Sequence, residues 1–366
     1  MPSDVSLNSA FKTILPIPRT IQHPGWVERH ITFPPGNAEG AHLNGQLETY
    51  CASSIEMVHL DWFGGPDDSR EAARRLQTRD RQTAGTMVVG DDAFLSPWTQ
   101  VRMISGISMT PVYDQGRLVG RFFEDADARY CMLGGIVPPD LSVSRGEQTA
   151  AVLSVIRRTL QKFGMDFRHV IRTWFYLDRI LDWYGEFNSV RTLFFKEIEL
   201  DIMPASTGVG AANNHGAALS AKVIAVMPKT AGVSVSKAVS PLQGEAVSYG
   251  SSFSRAIELC DASSRTLFIS GTASISPDGR TLHTGDTVRQ IETTMEVVDA
   301  MLDRCGMGIT DTMRGVVYFR NACDATLWNS YCERRELLDL PVAVAQSDVC
   351  RDDLLFEIEL DASKAK

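Results

Sequence analysis

The sequence predicts an α+β protein of two tandem units, each a sheet with two helices packed on one face in the order ββαβαβ. Three observations predict it. First, GEQTAAVLSVIRRTLQKFGMDFRHVIRTWFYLDR, from Gly146, and DTVRQIETTMEVVDAMLDRCGMGITDTMRGVVYFRN, from Asp286, match at one offset of 142 residues, Gly164 to Gly306. That offset pairs Gln148 with Gln290, Leu153 with Met295, Ile156 with Val298, Leu160 with Leu302, Arg172 with Arg314 and Tyr176 with Tyr318, the mark of a duplicated unit. Second, each copy carries apolar residues at helical spacing that stop at a glycine. Third, each copy continues into a β-branched and aromatic run.

The elements follow in order. In the first copy Leu153, Ile156, Leu160 and Phe163 form one helical face; in the second, Ile291, Met295, Val298 and Leu302 do. Gly164 and Gly306 stand where a left-handed C-cap belongs. Strands are expected over 170–177 and 313–319, and second helices over 180–195 and 324–338. Each unit then reaches a proline, Pro204 or Pro341, and ends in an apolar strand, 217–227 or 354–360. FSRAIEL and RTLFISGTASI supply two strands ahead of the second repeat, and GRLVGRFFEDADARYCMLGGI supplies strands ahead of the first. The resulting division is an N-terminal unit over 1–228 with an irregular extension, a Ser/Ala/Gly-rich linker over 229–248, and a C-terminal unit over 249–366. Residues 1 to 100 are the least readable part, and PGWVERHITFPPGNAEGAHLNG reads as loop.

Bulk properties exclude several classes. A formal net charge of -9 and a pI of 5.3 argue against nucleic-acid or anionic-membrane partners, though a local arginine cluster can still hold a small anion. No apolar run reaches about 18 residues, so no membrane span is expected. The N-terminus has an early acidic residue and does not read as a signal peptide. Seven scattered cysteines, never in a CxxC pair, suit reduced thiols in a cytoplasm. The seven histidines are too dispersed for a metal constellation, and neither GxGxxG nor a P-loop occurs. No cofactor is implied.

More specific strings stand at RTWFY (172–176), MPASTGVGA (203–211), SYG before FSRA (248–256), FISGTASI (268–275) and SDVCRDDLLFEIEL (347–360). The C-terminal unit resembles the YjgF-like (reactive-intermediate deaminase) fold, and these strings resemble its chorismatase branch. Gln346-Ser347, the compact loop over 336–340 and the lack of prolines in SYGSSFSRA depart from the family's usual pattern. The resemblance implies cleavage of the enol ether of chorismate, giving pyruvate and either 3-hydroxybenzoate or a dihydroxycyclohexadiene carboxylate.

That reaction needs a carboxylic acid kept protonated near neutral pH, to protonate the terminal methylene of the enol ether. Glu357 sits between Phe356 and Ile358, and alternation puts it on one face with Glu359. The first unit has Ser220-Ala221-Lys222 in the corresponding place, so one half alone carries a carboxylate there. The resemblance implies Glu357 as the general acid; otherwise the pair would be solvent-facing carboxylates on an edge strand. Two substrate carboxylates call for arginines. The motif-borne candidates are Arg255, Arg320, Arg351 and Arg172, against the ordinary fate of a lone arginine as a surface residue or ion-pair partner. Arg172 and Arg314 are repeat-related, which favours a structural role, so Arg255 and Arg320 come first. Tyr249 is a candidate hydroxyl donor. Gly271 and Cys350 are the residues by which the resemblance favours the 3-hydroxybenzoate route; the hydrolytic branch tends to carry alanine at both. Thr272, beside Gly271, is a further candidate for substrate binding. The simpler readings are a strand bulge for Gly271 and a small buried hydrophobe for Cys350.

A YjgF-like enamine/imine deaminase ranks second, because such enzymes need an arginine after the proline of a PAR motif. This sequence has Pro204-Ala205-Ser206 and Pro341-Val342-Ala343 there. A non-catalytic ligand-binding paralogue ranks third. Both a homotrimer and a pseudo-trimeric monomer are compatible with the repeat.

Overall fold

A computed structural model describes residues 15–35, 55–66, 84–90 and 97–366. Three mixed sheets and four helices of regular length are seen among these residues. The first sheet holds β1 (Ile17–His23), β2 (Trp26–Phe33), β3 (Ile55–Gly64), β4 (Gly85–Val89) and β5 (Trp98–Ser105), in spatial order β1-β2-β5-β3-β4. The second holds β6 (Thr110–Asp114), β7 (Arg117–Glu124), β8 (Ala128–Ile136), β9 (Val170–Leu177), β10 (Ala205–Gly210) and β11 (Leu219–Pro228), ordered β10-β9-β11-β8-β7-β6. The third holds β12 (Ser234–Ala238), β13 (Ala256–Cys260), β14 (Ser264–Ala273), β15 (Thr312–Phe319), β16 (Val342–Gln346) and β17 (Phe356–Ala365), ordered β12-β13-β14-β17-β15-β16.

The two later sheets are those of the repeat. Helix α1 (Arg145–Gln161) follows β8 and α2 (Tyr184–Glu197) follows β9; α3 (Thr287–Arg304) follows β14 and α4 (Ala325–Arg335) follows β15. Ser144 and Glu147 close a capping box that starts α1. Gly164 and Gly306 both take φ +68°. The amide after each glycine reaches back to the last helical turn, Met165 to the Leu160 carbonyl (3.2 Å) and Met307 to that of Leu302 (2.9 Å). These are left-handed Schellman caps, which glycine adopts without a Cβ clash. The repeated glutamines tie helix start to final strand: Gln148 Oε1 accepts from the Ala218 amide and Gln290 Oε1 from that of Leu355.

Four expectations change. PGWVERHITF carries β2 and is not loop. The first sheet, with no expected unit behind it, has the strand order and the parallel edge pair of the other two, less the outermost strand that β6 and β12 supply there. Within the expected linker, Ser234–Ala238 pairs antiparallel with β13 as an edge strand. The segments after Pro204 and Pro341 form β10 and β16, each parallel to its unit's first post-helix strand.

Register makes positions comparable across the sheets. β3, β9 and β15 each bulge once against their antiparallel partner, which places His59, Arg172 and Arg314 at matching positions. Gln100, Lys222 and Glu359 then match, as do Trp98, Ser220 and Glu357. These inward faces meet in a buried ionic cluster. Lys222 Nζ lies 2.5 Å from Asp61 Oδ2. Arg314 bonds Glu359 (2.8 Å) and Asp361 (3.3 Å), and Arg172 bonds Glu359. Trp174 lies in the middle, with Lys222, Arg172 and Arg314 at 4.0, 4.3 and 5.4 Å from its rings. Three cations thus balance three anions in the interior, the condition under which buried charge is tolerated.

Candidate active site

β17 lies between β14 and β15 and is no edge strand, and its residues 356–362 are all buried. Glu357 pairs with Ala273 and Tyr318 across those neighbours and is 5% exposed. It opens into a cavity of about 720 Å³ between the second and third sheets and their helices. The side of the third sheet contributes Glu357, Gly271, Arg255, Cys350 and Arg351; the side of the second sheet and α2 contributes Tyr184, Asn188, Arg191, Ser206 and Gly208. A cavity of this size suits a small organic ligand.

Glu357 and Glu359 share a strand face but hold opposite protonation states. Burial pushes the Glu357 carboxyl up to about 8, with help from the Glu359 charge and against the opposing pull of Arg172 and Arg255. Glu359 is also penalised by burial, but Arg314 and Arg172 outweigh this and hold it below its ordinary value. A neutral acid beside a fixed anion is the arrangement in which environment assigns different roles to two carboxyls.

The sequence candidates fall into two groups. Arg255, Gly271, Cys350, Arg351 and Glu357 meet around the cavity. Arg255 is 2% exposed and its Nε donates to the Gly244 carbonyl at 3.0 Å. Arg351 Nη1 donates to the Gly279 carbonyl at 2.6 Å. The Cys350 thiol is pushed up to about 12 by burial and then by Glu357, so it lines the wall as a neutral group. Gly271 lies at a register shift between β14 and β17, as the bulge reading held. A Cβ there would strike Glu357 Oε1 and stand 2.9 Å from its Cδ, so glycine makes room for the carboxyl.

Arg320, Arg172 and Thr272 do not line the cavity. Arg320 follows β15, where its Nε is 3.5 Å from Asp348 Oδ1 and its Nη1 donates to the Asp352 carbonyl. It therefore braces the loop that carries Cys350 and Arg351 and does not face a ligand. Arg172 is fully buried behind Glu357, bonded to Glu359 and to Thr207 Oγ1 (2.9 Å), in the structural place its repeat partner foretold. Thr272 is buried with its hydroxyl donating to the Ser270 carbonyl at 2.9 Å. Tyr249 ends the 3-10 turn Ala246–Tyr249; its side chain lies outside the described residues.

Sequence reasoning missed Arg191. It occupies the buried face of α2 between Phe187 and Phe195, at i, i+4 and i+8. An arginine on the apolar stripe of an amphipathic helix was the available signal.

Residues 132–227 match the family described as Endoribonuclease L-PSP. A 3-hydroxybenzoate synthase of Streptomyces hygroscopicus is 27% identical over 263 residues, covering 64% of this chain and 74% of that protein. A chorismatase of Streptomyces rapamycinicus is 30% identical over 234 residues, covering 58% of this chain and 68% of that protein. A crystal structure of a chorismatase superposes with a TM-score of 0.64 at 20% identity over 96% of this chain and all of the other, which shows a shared fold. No helix among the described residues is long and apolar enough to cross a membrane. On the identity and coverage of its curated relatives, this chain belongs to the chorismatase family.

Proposed function

We propose that the chain cleaves the enolpyruvyl ether of chorismate without a cofactor, with Glu357 as general acid. The observation that carries this reading is a buried carboxyl with a proton affinity of about 8, opening into a 720 Å³ cavity beside Arg255. At pH 7 such a group is roughly nine-tenths protonated. Its proton passes to the terminal methylene, which becomes a methyl group, and the ether carbon becomes an oxocarbenium centre. Positioned general acids of this kind contribute about 10²–10⁴-fold. The carboxylate on that carbon lies beside Glu357 and takes Arg255 as its partner.

Two outcomes balance. If the ring hydroxyl displaces the ether oxygen and the ring then rearomatises, chorismate gives pyruvate and 3-hydroxybenzoate with no water consumed. If water attacks the ether carbon, the products are pyruvate and the dihydroxycyclohexadiene carboxylate. Gly271 and Cys350 favour the first. Incubation of purified protein with chorismate, following pyruvate by coupled lactate dehydrogenase and aromatic product by chromatography, tests the reading. Pyruvate release that disappears in Glu357→Gln supports it; no release, or release that survives that substitution, removes it. Deamination of an enamine in the same preparation would support the deaminase alternative.

We further read the molecule as an internally trimeric monomer. The three matching sheets favour that over a homotrimer and divide the expected N-terminal unit, 1–228, into two. We read the third sheet as the core of the expected C-terminal unit, 249–366, with β12 joining it from the 229–248 segment. A cytoplasmic setting accords with the scattered cysteines.

A further inference from the structure

Glu357 rests against a bulge, and one side chain of the second sheet holds that bulge. Between β14 and β17 the register runs from Ile269 opposite Leu360 to Thr272 opposite Ile358, so Ser270 and Gly271 together face Glu359. The Gly271 amide donates to Thr207 Oγ1 at 3.1 Å, across the boundary between the sheets. Thr207 is 1% exposed, and the same oxygen accepts from Arg172 Nη2 at 2.9 Å and donates to Glu359 Oε2 at 3.2 Å. A hydroxyl has one hydrogen and two lone pairs, so all three are committed. Their directions are fixed as well, because an amide and a guanidinium can only donate. The Thr207 methyl carbon stands 3.5 Å from the point that a Cβ on Gly271 would occupy, beside the Glu357 carboxyl.

The same clamp recurs at one other junction. Thr86, Thr207 and Ala343 hold one register position on the parallel edge strands, opposite Asp61, Trp174 and Val316. Thr86 Oγ1 accepts from the Gly135 amide at 3.1 Å and lies 2.9 Å from His59 Nε2. Gly134 and Gly135 form the corresponding bulge, opposite Lys222. Where β2 runs against β5 with no register shift, the position is held by Ala343, which has no hydroxyl. The threonine thus accompanies the bulge, but at the Thr86 junction Ser220 stands in the place of the acid. Resting on the general-acid reading above, we propose that Thr207 is the positioning residue of Glu357: its hydroxyl fixes the Gly271 bulge and so holds the carboxyl in the cavity wall.

Thr207→Val keeps the shape and removes the hydroxyl. Its kcat for pyruvate release from chorismate is expected to fall by about 10–100-fold, with KM within a few-fold. A carboxyl released from the wall meets water, which weakens its hold on the proton. The alkaline limb of the rate, set near 8 in wild type, then moves by about one pH unit toward acid. The groups facing Glu357 among the described residues are Glu359, Arg172 and Arg255, with Cys350, Tyr184 and Tyr318 kept neutral by burial, and all six stay in place as residues. Thr207→Ser keeps the hydroxyl and should restore rate and limb. Thr86→Val breaks the matching clamp and should lower the unfolding midpoint about as much, with kcat and limb unchanged. Equal losses of kcat in the two valine variants, or an unmoved limb in Thr207→Val, overturn the proposal. Should Thr207→Val not fold by circular dichroism, Thr207→Cys is read in its place. Its thiol is a weak donor and acceptor, so part of kcat should be lost, and an unchanged profile overturns the proposal. The infrared band of the protonated carboxyl, identified by its absence in Glu357→Gln, gives a reading without substrate. If wild type releases no pyruvate, the chorismate reading fails by itself. Positioning by Thr207 then stands if the midpoint of that band falls in Thr207→Val, and is overturned if it does not.

Discussion

Glu357→Gln is expected to abolish turnover and, at the same time, to make the protein more stable. The buried acid binds its proton with an affinity of about 8, against an ordinary value of 4.5. At pH 7 the unfolded chain releases that proton and gains about 3 kcal/mol, from roughly 2.5 pH units at about 1.4 kcal/mol each, while the folded protein retains it. Glutamine copies the shape of the neutral acid and does not titrate, so the variant is spared that loss. Because the folded value lies above the unfolded one, the contribution of the acid to stability is complete below pH 4.5. It declines as pH rises and is fully lost above about 8. The gap between variant and wild type should therefore be near zero at pH 4, about 3 kcal/mol at pH 7 and about 5 kcal/mol at pH 9. Guanidinium unfolding midpoints at those three pH values, read beside pyruvate release, measure it. A gap that does not grow with pH would show that the carboxyl is already ionised in the fold, and the general-acid argument would go with it.

Two further outcomes are expected. Gly271→Ala places a methyl group against Glu357 Oε1 on a strand whose Gly271 amide is tied to Thr207 Oγ1 at 3.1 Å, so the carboxyl must swing by roughly 1 Å. That displacement should lower kcat on the order of 100-fold and divert residual product toward the dihydroxy acid; unchanged rate and product would refute it, both being read in one chromatographic assay. Glu359→Gln leaves Arg172 and Arg314 short of an anion in the interior and should destabilise by about 3–5 kcal/mol in denaturant titration. A change below about 1 kcal/mol would mean that the cluster contributes nothing net.

Much of the architecture was legible because apolar periodicity and glycine caps survive in both copies of the repeat. The first sheet was not, and β2 shows why. Its inward positions are Trp26, Glu28, His30 and Thr32. Glu28 is buried against His30 and Arg102, each at 2.5 Å, so polar residues hold places where an alternating pattern expects apolar ones. The same limit applied to the site. Glu357 announced itself by lying between two apolar residues in the final strand. Arg320 and Arg351 looked alike in the sequence, and both donate to backbone carbonyls, but only Arg351, carried on the loop over 348–352, lines the cavity. Arg191 acquires its character from Phe187 beside it and Ser206 on a strand elsewhere in the chain.

The matching positions Trp98, Ser220 and Glu357 bear on how such a site could arise. In an assembly of identical subunits every substitution is written three times. An interior acid that weakens the fold by about 3 kcal/mol would then weaken it by about 9, most of what holds an ordinary protein together. Joining the copies in one polypeptide lets a single junction carry the burden, while its counterparts keep an indole and a small hydroxyl that ask nothing of the solvent. Asymmetry within the chain is thus what makes an otherwise prohibitive residue tolerable.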